Sequence, residues 1–397
     1  MMGSSSCNAA DLLKEIFLLM YYKDVILRNP GPPKMRRTEE AQNSIYITQD
    51  IIKEIFLRLP LKSLAKFKTV SKEWRWILES KTFNDLHLSN QKSGKSRRKI
   101  LAGYKCDCCD RPNLSPVAGD EEFVYLHCDT SRPSMSCDGL VCIPEPGWVN
   151  VLNPPTGELR RFPSGPDPVP CPIASLDRHV PELWFNYFPG NWAMGFGRDK
   201  VTGRYKVVRM CFDPVECDVL AVETGEWRKL RAPPPYEVQS GRRSACVNGS
   251  IYWLEVAFYV GYKILGFDLH TEEFHDVKSL PRPYLSTGTA QILNLDDRLA
   301  ISITMQRQQK LEIWCMDSEE ERWSKAYSIC LAGVAPTEPG YVWWYTPVMV
   351  SEEGNVLISD NNKGLFKHYP QTNVTRRLAS PSTCCVISPY LENLVRL

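Results

Sequence analysis

Among 397 residues the chain has only six histidines: His87, His127, His179, His270, His275 and His368. They are scattered, and each reads as a surface or core group rather than a catalytic base. No HExxH, P-loop, Gly-x-Ser-x-Gly or dinucleotide fingerprint occurs, so the common hydrolase, nucleotide-transfer and oxidoreductase devices are missing. One-signed charge is missing too. Forty-eight basic against 46 acidic residues leave a net charge of +2, which gives neither nucleic acid nor a membrane surface a field to recognise. The chain also lacks a long apolar run. Leu12–Leu27 is interrupted by Lys14, Glu15, Lys23 and Asp24, and no charge-free stretch reaches the ~20 residues that span a bilayer. With no secretory signal to read, the cytoplasm, the nucleus or both are the expected location.

That location decides how the fifteen cysteines are read: as free thiols in a reducing compartment. The sequons Asn248-Gly249-Ser250 and Asn373-Val374-Thr375 are then expected to be unused. One cluster, Cys106, Cys108 and Cys109 followed by His127-Cys128, holds enough ligands for zinc. Only Cys106 and Cys109 approximate Cys-x-x-Cys, no second such pair follows, and Cys128 ends a strand-like run. Free thiols are the expectation, with no metal and no cofactor.

What is present begins at residues 46–88. Apolar residues recur there at helical spacing: Ile51, Ile52, Ile55, Phe56, Leu59, then Leu64, Phe67, Val70, Trp74, Ile77 and Leu78. Pro60 cannot continue the first helix, so the pattern predicts several short helices. About 40 residues are too few to bury that much apolar surface, which predicts a partner. Asp50, Glu54-Ile55, Leu59-Pro60-Leu61-Lys62-Ser63-Leu64 and Val70-Ser71-Lys72-Glu73-Trp74-Arg75 stand in the order and spacing of an F-box, which this segment resembles. The family's opening Leu-Pro is replaced by Ile47-Thr48. That departure lies in the part of the motif reaching adaptor and cullin, and it predicts weaker affinity for the adaptor.

On either side the chain reads as connecting material. Residues 1–45 form a leader whose Asp11–Met20 matches Asp50–Leu59 at six of ten positions, a partial echo that lacks the proline and everything after it. A marginal amphipathic helix is expected there, followed by a proline- and charge-rich linker. After an F-box assigned to 46–90, the basic residues 91–99 read as a second linker, with a nuclear import signal at Lys95–Lys99 the alternative to a solvated charge run.

From residue 100 to 397 the signals turn to β. Hairpin turns recur at Asp138-Gly139 and Asn248-Gly249, with looser copies at Asp296-Asp297 and Glu353-Gly354. A second set lies around Thr156, Thr224, Thr271, Glu320 and Thr372; the last four are spaced by 47, 49 and 52 residues. The longer step from 156 to 224 contains a proline-rich insert, Pro163–Pro189. Two hairpins per repeat of about 50 residues make one four-stranded blade, and blades bury their faces by radial stacking, so a propeller is expected over a β-sandwich. Cys137-Asp138-Gly139-Leu140-Val141-Cys142, Asn153-Pro154-Pro155, Gly195-Phe196-Gly197 and the closing Tyr390-Leu391-Glu392-Asn393-Leu394-Val395 resemble the F-box-associated domain of plant F-box proteins. Kelch repeats share the period, but their paired glycines are missing.

These resemblances imply a mainly β chain: a small N-terminal α module, the short helical F-box, then a β-propeller-like domain of four-stranded repeats. They imply a non-catalytic substrate receptor of a Skp–cullin–F-box ubiquitin ligase, its partners a Skp-family adaptor, through it cullin and RING subunits, and an unidentified target protein. An adaptor-bound scaffold or competitor without ligase output is the alternative, and an enzymatic propeller a lesser one. Adaptor contacts are expected at Ile51, Ile52, Ile55, Leu59, Pro60, Leu64, Phe67, Val70 and Trp74, some of which must also form the module's core. Aromatic anchors for the target are sought at Trp184, Phe185, Tyr187 and Trp192 in the insert. Trp343 and Trp344 are further candidates, or else they lead into a buried strand.

Overall fold

The computed structural model describes residues 48–93, 98–104, 122–127, 134–145, 147–164, 192–212, 214–238, 243–257, 261–278, 280, 290–317, 319–335, 343–361, 364–379 and 384–397. The chain divides into two compact units, one ending at Phe83 and the other beginning at Asn84. The leader and its echo lie outside the described residues.

The first unit is helical, as its spacing predicts. Its first helix, Gln49–Leu57, opens with Asp50 in the first turn, where a carboxylate complements the helix dipole. Pro60 stops it and, at φ −62° and ψ 147°, becomes the N-cap of the second helix, Leu61–Phe67. Ser71 caps the third, Lys72–Glu79, by accepting the Trp74 N–H at 3.0 Å. The fourth helix, Lys81–Ser93, spans the division between the units and continues into the first residues of the segment read as a basic linker. Phe56 is the hub of the core: Trp74 meets it edge-on at 5.1 Å, Phe67 lies at 5.8 Å and Phe83 at 6.3 Å. Leu59, Leu64, Ile77 and Leu78 fill the space around it.

The second unit is built from six sheets among the described residues. Blade one holds β3 (Met135–Cys137), β4 (Leu140–Glu145), β5 (Trp148–Asn153) and β6 (Glu158–Pro163). Blade two holds β7 (Ala193–Arg198), β8 (Tyr205–Phe212), β9 (Val215–Ala221) and β10 (Glu226–Lys229). Blade three holds β11 (Ala245–Val247), β12 (Ser250–Ala257), β13 (Gly261–Asp268) and β14 (Phe274–Val277). Blade four holds β15 (Ala290–Leu295), β16 (Arg298–Met305), β17 (Lys310–Asp317) and β18 (Arg322–Cys330). Blade five holds β19 (Tyr345–Val350), β20 (Val356–Asp360), β21 (Leu365–Tyr369) and β22 (Val374–Ala379). In the sixth, β23 (Cys384–Tyr390) pairs antiparallel with β1 (Lys99–Tyr104), which pairs parallel with β2 (Phe123–His127).

The first strand of every four-stranded blade touches the first strand of the next, and β23 completes the circuit between β19 and β3. The arrangement is a closed β-propeller. Six apolar clusters lie between successive sheets. Leu101 and Tyr390 pack on Val141 and Ile143 at one side of the closing sheet, and Ile100 packs on Val348, Met349 and Leu357 at the other. Each blade face is therefore buried against a neighbour, the physical reason the repeat exists.

The turn signals hold residue by residue. Asp138-Gly139, Asn248-Gly249 and Asp296-Asp297 all take left-handed φ, between +50° and +84°. In the second hairpins the left-handed residue directly follows each of the five repeat positions: Gly157, Gly225, Glu272, Glu321 and Asn373.

Candidate adaptor and target surfaces

The residues expected to meet an adaptor fall into two groups. Leu59, Leu64 and Phe67 are 5%, 0% and 4% exposed, and their role is to hold the helices together. Trp74 is half-buried, lying edge-on to both Phe56 and Phe67. Pro60, Ile51 and Val70 are exposed, and Ile52 and Ile55 are half-buried. Trp76, which motif reading passes over, is 67% exposed. Helical geometry could have found it: residues two apart point to opposite sides of a helix, so Trp74 and Trp76 cannot both face the core.

The aromatic anchors expected on the propeller separate in the same way. Trp343 is buried edge-on to Tyr345, ring centroids 5.7 Å apart, and its carbonyl accepts from Gln306 Nε2 at 2.8 Å. Trp344 is buried as well; its N–H donates to Asn361 Oδ1 at 3.2 Å, and its carbonyl accepts the Asn361 N–H at 3.2 Å. Both belong to the approach to β19, so of the two readings the structure gives them the buried one. Trp192 is half-buried, and the Arg209 guanidinium lies between its ring, at 4.5 Å, and that of Trp227, at 4.4 Å. Asp218 Oδ2 holds the same guanidinium at 3.0 Å, so this stack knits the outer strands of blade two. Trp184, Phe185 and Tyr187 lie outside the described residues, as do Cys106, Cys108, Cys109 and Cys128. Among the described residues no group of three or more His, Cys, Asp or Glu comes together as a metal site.

Sequence reading did not foresee how polar groups converge at one end of the propeller. Strands alternate in direction within each four-stranded blade, which brings both sets of hairpin turns to one face. There Arg198 bonds Asp85 at 2.5 Å, Lys92 bonds Asp138 at 2.6 Å, and Arg98 pairs with Asp296. Burial opposes the Lys92 charge, but the Asp138 carboxylate outweighs it and raises the ammonium pKa. Asp85, Lys92 and Arg98 are thus fastened to the turns of blades two, one and four. Neighbouring turns also bind each other: Lys206 reaches Glu272 at 2.9 Å, and His270 lies 3.3 Å from Asp199. Asp199 accepts from the Val201 and Thr202 N–H groups and from the Thr202 hydroxyl at 2.7 Å. Burial would raise its pKa; these bonds and His270 instead draw it down to about 2.

The C-terminal residues lock the ring. Asn393 is fully buried, donates to the Asp138 carbonyl at 2.6 Å and accepts from Asn153 Nδ2 at 2.9 Å. Asn153 also donates to the Val395 carbonyl at 2.7 Å, and the Leu397 N–H reaches Glu158 at 2.9 Å. The closing Tyr390–Val395 motif thereby clips strand β23 to blade one. No local sequence signal shows this, because the partners lie some 240 residues away.

The chain thus combines a unit of short helices with a closed ring of antiparallel blades. Residues 47–85 match the F-box domain, and residues 120–338 match the F-box associated beta propeller domain. An F-box/LRR-repeat protein and an F-box protein of Arabidopsis thaliana are each 50% identical over 376 residues, covering 91% of this chain and 86% and 88% of their own. An F-box/kelch-repeat protein of the same plant is 50% identical over 376 residues, with 91% and 86% covered. The chain belongs to the F-box proteins that carry an F-box associated β-propeller domain. Its propeller runs beyond the matched region, through blade five to the closing strand.

Proposed function

We propose that this chain is the substrate receptor of a Skp–cullin–F-box ubiquitin ligase, docking through its helices on a Skp-family adaptor and holding a target protein on its propeller. The observation that carries this reading is the pairing of an F-box with an associated propeller in one chain. The open apolar groups of the helical module, Ile51, Pro60, Val70 and Trp76, support it by supplying surface that a partner would cover. Such a receptor needs no reacting side chain. It raises the local concentration of a target lysine at a thioester carried by another subunit.

Because Asp85, Lys92 and Arg98 are bonded to the hairpin-turn face, target capture is assigned to the opposite rim, where blades connect to one another. The chain works in the cytoplasm, the nucleus or both, where thiols stay reduced. Substituting Ile51→Glu with Val70→Glu tests the docking face without touching the core. The expected result is loss of co-purification with the adaptor and an unchanged circular dichroism spectrum. Retained binding would overturn the assignment. In a reconstituted ligase, adaptor binding without ubiquitin transfer to any captured protein would favour the scaffold reading.

A further inference from the structure

Two cysteines meet on the hairpin-turn face, and the proposed receptor role makes no use of them. Cys137 ends β3 in blade one, immediately before the Asp138-Gly139 turn. Cys246 lies in β11 of blade three, just before the Asn248-Gly249 turn. Their sulfurs are 3.6 Å apart although 109 residues separate them in sequence. Blade two lies between their blades and yields the space through Gly197 on β7. A Cβ there would come within 2.6 Å of Cys246 Sγ. Both cysteines are half-buried free thiols, whereas Cys142, Cys211, Cys217 and Cys315 are buried and Cys330 is exposed on another blade.

We propose that Cys137 and Cys246 form a reversible, peroxide-driven disulfide that staples blade one to blade three across blade two. A bond of ~2.05 Å requires the sulfurs to close by roughly 1.5 Å, a movement within reach of side-chain rotation and small shifts of two strand ends. The thiolate of either cysteine attacks hydrogen peroxide; the O–O bond breaks, sulfur is oxidised to a sulfenic acid, and the other oxygen leaves as water once protonated. The second thiol then attacks the sulfenic sulfur. The S–S bond forms, and the departing hydroxide takes that thiol's proton as a second water. The net change is two thiols and one peroxide to one disulfide and two waters. A dithiol reverses it. Asp138, next to Cys137, is the residue that holds Lys92, so the staple acts at the point where Lys92 is fastened. The shared S–H contact and burial both raise the Cys137 pKa, so the reaction should quicken as pH rises.

The full-length chain is treated with hydrogen peroxide, digested without reductant and mapped by mass spectrometry. The expected product is a Cys137–Cys246 linked peptide, two hydrogens lighter than the separate thiols and released by dithiothreitol. Closing so long a loop should raise the thermal transition by about 5 °C or more. Cys137→Ser and Cys246→Ser should each abolish the link and the shift, while Cys330→Ser leaves both. If either serine variant fails to fold, the map of the unsubstituted chain decides alone. Oxidation confined to Cys330, stepwise over-oxidation of Cys137 without a link, or a link that dithiothreitol cannot reverse would each overturn the proposal.

Discussion

At Gly139, backbone conformation and tertiary contact make the same demand. Its φ of +83° suits glycine, and an added Cβ would lie 1.9 Å from the Leu391 carbonyl oxygen and 2.4 Å from Asn393 Nδ2. Both obstacles belong to the C-terminal clip, and the first is backbone that cannot step aside. Gly139→Ala is therefore expected to cost about 3 kcal/mol or more, combining left-handed strain with displacement of the clip. Urea unfolding measures it, and a loss below ~1 kcal/mol would show that the clip yields freely. Asp199 gives a pH prediction of definite sign. Its pKa is about 2 in the fold and about 3.9 in an unfolded chain, so its stabilisation is complete above roughly pH 4 and fades as pH falls toward 2. Asp199→Asn should flatten that part of the acid limb while leaving neutral stability dependent only on the altered hydrogen bonds. Thermal melts across pH 2–5 compare the two proteins.

At the scale of elements, the F-box helices show how one apolar pattern serves two purposes. The spacing of Ile51, Ile55, Leu59 and Leu64 announces helices, yet it does not say which residues face inward. Packing sends Leu64 to the centre and leaves Ile51 outside, at 0% and 52% exposure. Alanine at Leu64 should therefore destabilise the helical module by about 2–5 kcal/mol through the cavity it leaves. Hydrogen exchange should show faster opening of 49–79 with the propeller strands still protected. Equal loosening in both units would mean that they unfold together. The hairpins were more legible. Asp138-Gly139, Asn248-Gly249 and the five repeat positions carry turn chemistry that is local, so the sequence could be read strand by strand.

At the scale of the whole molecule, strands from the two ends of the propeller complete one sheet. Strand β23 supplies the inner strand and β1 the next, which converts a row of blades into a closed ring. The polar ties on the hairpin-turn face, Asp85 to Arg198, Lys92 to Asp138 and Arg98 to Asp296, then hold these three residues to that ring.

The sequence by itself determined the short helices, the period of about 50 residues, the turn positions and the resemblance to F-box proteins. All of these rest on interactions within a few residues, or on apolar spacing that one element enforces. Only the tertiary structure decided how the ring closes, that Trp343 and Trp344 are core, which F-box residues stay exposed, and that Cys137 meets Cys246. Each of those depends on contacts between residues tens to hundreds of positions apart. Such contacts form only when separate faces compete for the same buried space, and no stretch of sequence carries that outcome alone.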